Sequence, residues 1–192
     1  IGVVDEVLNG QVNEEVASFV SSHDCGVRRI PGKEVLSCSK LASEPDLGYV
    51  GDIGSVRTEP ILEALEEGLM PILSSTASDA GGQCYNVNAD TAAAQIAIAL
   101  KARRLVYLSD VPGLLKDPED PATLLSSLPV HQVEPLKEEK VISKGMLPKV
   151  NSAVEALNAG VNRVHFIDGR LPHSILLEIF TDEGIGTEIV HN

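Results

Sequence analysis

The chain has 192 residues, 43% hydrophobic and 22% charged, a balance typical of globular domains and long enough for one large domain or two small ones. A formal net charge of -13 argues against a nucleic-acid or anionic-membrane partner, because both demand lysine and arginine to neutralise phosphates. Cys25, Cys38 and Cys84 lack metal-ligand spacing and are odd in number, so reduced thiols in a cytoplasmic protein are expected, and no stretch approaches the ~20 apolar residues of a membrane span.

From Ile1 to Val20 the apolar positions Val3, Val4, Val7, Leu8, Val12, Val16 and Phe19 follow helical spacing, interrupted by Asn9-Gly10. Two amphipathic helices or one broken helix are predicted. The opening on Ile1, as if already inside a helix, reads as a truncated chain, with N-terminal processing as the alternative. A hairpin is predicted across Pro31 and Gly32, with short strands near Leu36 and Tyr49. A helix from about Glu59 to Glu67, closed by Gly68, leads to the strand "LMPILSS", and "TASDAGGQ" reads as a turn-rich connection. A helix over 91–102 leads to the strand "RLVYLS". The segment 110–145, rich in Pro, Asp, Glu and Lys, is expected to hold a short helix and a surface loop. A helix from about Val150 to Ala159 leads to "RVHFID", and one from about Pro172 to Phe180 leads to "GTEIV". This alternation predicts an α/β fold, a mainly parallel sheet sandwiched by helices.

Ligands of such sheets bind at the carboxyl ends of strands, beside helix N-termini. Three segments qualify. In "YNVNADTAAA", Asn88 or Asp90 can cap the following helix, yet Asn86, Asn88 and Asp90 together exceed what one cap requires. In "VYLSDVPGLL", Ser109 and Asp110 can hold a ribose or adenine edge, or simply cap a turn. In "ISKGMLPKVNSAVEAL", Lys144 and Lys149 flank Gly145 and Pro148 before a helix, where a lysine opposes the macrodipole unless an anion sits with it. A surface lysine with its stem over apolar neighbours is the plainer alternative for Lys149. There is no GxGxxG loop, no P-loop and, despite His23, His131, His165, His173 and His191, no GxSxG elbow or zinc spacing. A lysine, a carboxylate to orient it and amides for a polar substrate suit phosphoryl transfer, whose catalysis is mostly positioning and charge neutralisation.

The stretches "YNVNADTAAAQIAIAL", "LVYLSDVPGLL", "GMLPKVNSAVEALNAGV" and "VHFIDGRLPHSILLEIFTDEGIGTEIV" resemble the consecutive motifs of the acetylglutamate kinases, in the amino acid kinase family. "GQVNEEV", "DLGYVGDI" and "GLMPILSS" fit the same order, so the resemblance covers nearly the whole chain. It implies the amino acid kinase / carbamate kinase-like fold, with residues 1–80 from an amino-acid-binding lobe and 81–192 from an ATP-binding lobe. It also implies transfer of the γ-phosphoryl group of ATP to the side-chain carboxylate of N-acetyl-L-glutamate in arginine biosynthesis. Asn86 would contact the substrate, Lys149 would stabilise charge on the transferring group, and Asp90 would orient the catalytic lysines. Ser109, Asp110, Val111, Pro112, Gly113, Leu114 and Leu115 would line the nucleotide site, with Val141, Ile142, Ser143, Gly145 and Met146 on its other side. Mg²⁺ would be held through phosphates and water, with no protein ligand. His165, Glu178 and Gly184 match the pattern for arginine as feedback inhibitor, against the plainer readings of a buried strand histidine and a solvated helix face.

The family's Lys-x-Gly-Gly strand, glycine-rich substrate loop and substrate-binding arginine do not occur here, so the chain reads as lacking roughly the first third of such an enzyme and as inactive alone. "GVRRIPGKEVLSCSKL" is shorter and more basic than the family's hairpin. An N-acetylaminoadipate or carrier-linked aminoadipate kinase, or a non-catalytic arginine-sensing fragment, would share these motifs. The family also implies a homo-oligomer.

Overall fold

In the computed structural model, which describes residues 1–117, 119–142, 145–181 and 184–191, the apolar spacing at the start of the chain builds one helical run. It comprises α1 (Gly2–Asp5), a π-helical stretch Glu6–Val12 and α2 (Asn13–Ser21). Of the two expectations, the single interrupted helix holds. Asn9 does not break it, because its side-chain amide donates to Asp5 Oδ1 at 2.7 Å and to Thr76 Oγ1 at 3.3 Å. The wider π turn accommodates those tertiary contacts without ending the helix.

The chain divides into two units, Ile1–Ala99 and Leu100–Asn192. The first continues with β1 (Val27–Ile30), β2 (Leu36–Lys40), β3 (Gly51–Val56), α3 (Glu59–Glu66), β4 (Met70–Leu73), β5 (Thr76–Ser78), β6 (Cys84–Asn86) and α4 (Ala89–Ala99). β1 and β4 pair in parallel, and a second sheet runs β3-β2-β5-β6. α3 buries Ile61 and Ala64, and Gly68 beyond it takes φ +74°, the left-handed stop that the sequence predicts.

The hairpin predicted across Pro31 and Gly32 is not formed. A 3-10 turn at Gly32–Glu34 carries the chain from β1 in one sheet to β2 in the other. Distant side chains bind its backbone, the Gly32 N–H donating to Ser74 Oγ at 2.9 Å and the Lys33 N–H to Thr76 Oγ1 at 3.2 Å. "TASDAGGQ" is likewise more than a connection. It supplies β5 and a turn in which Asp79 Oδ1 accepts the N–H groups of Gly81 and Gln83, so β5 and β6 form an antiparallel hairpin. β6 and α4 belong to the first unit, β6 by that pairing and α4 by packing on β3, whereas the predicted lobe boundary places them with the second.

The second unit contains β7 (Arg104–Ser109), β8 (Ser127–Pro129), α5 (Val133–Glu138), α6 (Leu147–Asn158), β9 (Arg163–Asp168), α7 (Ser174–Phe180) and β10 (Thr187–Val190). Its sheet runs β7-β9-β10-β8, with β7/β9 and β10/β8 parallel and β9/β10 antiparallel. Every residue of β9 after Arg163 is buried, as expected of a central strand covered on both faces. The segment 110–145 holds β8 as well as the predicted short helix, α5. The α/β class and its parallel pairing thus stand, with three antiparallel pairs added. Among the described residues no helix is long and apolar enough to cross a membrane.

Candidate active site

In the first unit, Asn86 closes β6, its N–H donating to Tyr49 O at 2.9 Å. Asn88 is the cap of α4. Its Oδ1 accepts the Thr91 N–H at 2.9 Å and the Thr91 hydroxyl at 3.2 Å, and its carbonyl accepts the Ala92 N–H at 2.9 Å. Asp90 lies in the first turn, half-buried, so capping does not account for its carboxylate. A small cavity of about 140 Å³ opens beside the cap, lined among others by Leu41, Val50, Asp52, Asn88 and Thr91.

In the second unit, Ser109 ends β7 directly opposite Asp168 at the end of β9, and the Gly169 N–H donates to Ser109 O at 2.8 Å. Ser109 Oγ lies 3.5 Å from Asp110 Oδ1. Asp168 accepts the Arg170 side chain at Nε (2.9 Å) and Nη2 (2.8 Å) and its backbone N–H at 2.9 Å. The guanidinium first, and then the N–H, hold the Asp168 carboxyl down to about 2. Arg170 is a cation at the carboxyl ends of two parallel strands that sequence reasoning missed. Its signal was the acid-Gly-Arg run closing "VHFIDGR".

The loop after β7 is anchored from β10. The Leu114 N–H donates to Thr187 Oγ1 at 2.8 Å, the Leu125 N–H donates to Leu114 O at 2.8 Å, and Leu115 bridges Leu124. Gly113 adopts φ +150°, and a Cβ there would lie 2.5 Å from Thr187 Oγ1 and 3.1 Å from Thr187 N. Gly113→Ala is therefore expected to destabilise the protein by about 2–3 kcal/mol, read as a lower urea midpoint; an unchanged midpoint would show that the loop can shift freely. Val111 and Pro112 are half-buried, and Leu114 is buried. On the other predicted side, Ile142 is buried, Val141 half-buried with its N–H donating to Leu136 O at 3.0 Å, Gly145 exposed, and Met146 at the N-cap position of α6. Ser143 and Lys144 lie outside the described residues.

Lys149 stands in the first turn of α6, behind Pro148 and with no acidic residue in that turn. Its ammonium lies 5.8 Å from the centroid of the Tyr107 ring. Tyr107 in turn stacks on Phe166 of β9, ring centroids 5.2 Å apart and planes at 11°.

The three predicted effector residues form one cluster. His165 Nδ1 and Glu178 Oε1 are 2.8 Å apart, and Glu178 Oε2 accepts the N–H groups of Ile185 (2.8 Å) and Gly186 (2.9 Å). Gly184 has φ +62°, and a Cβ on it would approach Glu178 Oε2 to 2.9 Å, so only glycine lets the turn close over the carboxylate. Burial pushes the Glu178 carboxyl up, but the hydrogen bonds from His165, Ile185 and Gly186 outweigh it and hold it below its ordinary value. A cavity of about 340 Å³ opens here, lined also by Arg104, Arg163, Thr181 and Glu188. His165 Nε2 and Arg104 Nε are buried without a hydrogen-bond partner among the described residues. Arg104 and Arg163 escape sequence reasoning, although each opens a predicted strand. Among the described residues no group of three His, Cys, Asp or Glu is placed to hold a metal ion.

The sequence pattern of the amino acid kinase family matches residues 2–168. The chain is 45% identical over 192 residues to the acetylglutamate kinase of Clostridium beijerinckii, covering 98% of this chain and 67% of that protein. The solved structure of smu.665 from Streptococcus mutans superposes with a TM-score of 0.82 at 28% identity, over 97% of this chain and 70% of that one. N-acetylglutamate synthase from Neisseria gonorrhoeae, solved with coenzyme A and L-arginine, superposes with a TM-score of 0.77 at 25% identity, over 100% of this chain and 52% of that one.

Proposed function

The chain belongs to the amino acid kinase family, and from that premise we propose that it serves in an acetylglutamate kinase. The reaction transfers the γ-phosphoryl group of ATP to the side-chain carboxylate of N-acetyl-L-glutamate, giving an acyl phosphate for arginine biosynthesis. The observation that carries this reading is the 45% identity to the Clostridium beijerinckii enzyme across 98% of the chain. The geometry adds that Asn88 does the capping, which leaves Asn86 and Asp90 to be explained by another task.

In this proposal Asn86 holds the acetylglutamate, and Lys149 offers its ammonium to the oxygens of the transferring phosphoryl group, where charge spreads in a loose transition state. Asp90 keeps the role that the family resemblance implies, orienting the catalytic lysines. The Ser109–Leu115 loop receives the nucleotide at the carboxyl end of β7, the expected ligand locus of such a sheet, with Val141, Ile142, Gly145 and Met146 assigned to its other side as the resemblance implies. Ser109 and Asp110 offer a hydroxyl and a carboxylate as hydrogen-bond acceptors to the nucleotide, while Mg²⁺, if bound, would be held through phosphates and water with no protein ligand and would neutralise phosphate charge.

The His165–Glu178–Gly184 cavity is proposed to take arginine as feedback inhibitor, Glu178 facing the guanidinium and Arg104 the α-carboxylate. The L-arginine in the solved synthase supports this, as do the buried nitrogens of Arg104 and His165 that lack a hydrogen bond among the described residues. Homo-oligomerisation belongs to the same proposal, supported by the exposed Val3, Val12, Val16 and Phe19 of the first helical run.

An ADP-release assay on the full-length protein, with acetylglutamate set against aspartate, glutamate and acetylaminoadipate, tests the assignment. Turnover is expected with acetylglutamate. Faster turnover with acetylaminoadipate would transfer the assignment to that substrate, and turnover with none would sink the kinase reading.

A further inference from the structure

Lysine is an awkward residue with which to fix a charge, because its four-carbon stem carries several rotatable bonds and its ammonium has no preferred plane. Lys149 is at the start of a helix, where the macrodipole repels it. Any contact that narrows where its ammonium rests therefore bears on its use.

Tyr107 is suited to that. Its ring lies within the ~6 Å reach of a cation–π contact, at 5.8 Å. The ring cannot easily turn, because Tyr107 is 4% exposed and stands beside Phe166 in the β7/β9 register, with the two rings stacked. The strand register and the stack on Phe166 therefore both constrain the ring. A leucine could also be buried there, as Leu105 is two residues earlier on the strand, but an aliphatic side chain has no negative face. A carboxylate can also hold an ammonium, but only by compensating its charge. A ring attracts the cation through its quadrupole and leaves the full positive charge available to phosphoryl oxygens.

We propose that Tyr107 is a positioning residue for phosphoryl transfer, its ring serving as the platform on which the Lys149 ammonium is located. This rests on the role of Lys149 proposed above. The contact fixes where the charge lies before ATP arrives, so its loss is expected to appear in kcat rather than in nucleotide affinity.

The test uses the full-length protein and two independent readouts. The first is the NMR position of the Lys149 ε-methylene, assigned by its disappearance in Lys149→Arg. An upfield ring-current displacement is expected in the wild type and in Tyr107→Phe, and its loss in Tyr107→Leu and Tyr107→Met. The second is steady-state kinetics: kcat within about twofold of wild type for Tyr107→Phe, and about tenfold lower for the leucine and methionine variants, with the KM for ATP changed less than about threefold. An undisplaced Lys149 resonance in the wild type would overturn the proposal without any variant having to fold. So would a phenylalanine variant as slow as the leucine one, or a leucine variant with unaltered kcat. If the wild type turns over none of the candidate substrates, the resonance comparison still decides where Lys149 is held, so failure of the substrate assignment stays separate.

Discussion

Lys149→Met in the full-length protein is expected to lower kcat by about 10²–10³-fold, with the KM for acetylglutamate and the urea midpoint near wild type. Methionine keeps most of the unbranched stem and removes the charge. A group whose contribution is made to the transition state and not to the bound substrate lowers kcat and kcat/KM together. The fold should tolerate the change, because a cation in the first turn of α6 opposes the helix dipole. Lys149→Arg is expected to be nearly as slow, since a planar fork does not occupy the position of a compact ammonium. A fall of less than about tenfold in the methionine variant would remove Lys149 from the phosphoryl-transfer machinery.

The second large effect is expected at Glu178. Glu178→Ala leaves the N–H groups of Ile185 and Gly186 and the ring of His165 without their acceptor in a buried place, a loss of about 3 kcal/mol or more. In the same variant, inhibition of the full-length enzyme by arginine is expected to disappear, because the cavity loses the carboxylate proposed to face the guanidinium. The stability difference should depend on pH in a definite direction. The folded carboxyl titrates below its ordinary value of 4.5, so the unfolded chain binds the proton first on acidification. The contribution of Glu178 is then complete above 4.5 and fades as the pH falls from there through the folded value. Urea midpoints of wild type and variant, compared from neutral pH downwards, should converge in the acid range. A gap that stays constant would mean that packing and not the ionised carboxylate holds the cluster, and undiminished arginine inhibition would reject the effector role.

These two residues also differ in how they could be found. Lys149 stands out in the sequence because one local rule, that cations avoid helix N-termini, is broken there. Glu178 is unremarkable locally, a glutamate in the run "SILLEIF", and only its family resemblance points to it. What makes it special is the turn at 184–186 and His165 on the neighbouring strand, which fold around its carboxylate. Arg104, Arg163 and Arg170 were missed for the same reason, since a basic residue at a strand end gains meaning only from what the strand lies against.

By itself the sequence determined the elements whose causes are local. The stop of α3 at Gly68 and of α6 at Gly160, and the strands "RLVYLS" and "RVHFID", follow from left-handed glycines and apolar runs. It also determined that Asn86, Asn88 and Asp90 together exceed the needs of one cap. Tertiary structure alone decided where backbone groups find partners far along the chain. Ser74 and Thr76 turn the expected Pro31–Gly32 hairpin into a link between two sheets, and the three-residue strands β5 and β8 exist only through their neighbours. It also decided that Asn88 rather than Asp90 caps α4, and that the Tyr107 ring, stacked on Phe166, lies 5.8 Å from the Lys149 ammonium. The physical reason is common to all of these: propensity and spacing act within a few residues, whereas hydrogen-bond satisfaction and close packing are settled among groups that folding brings together.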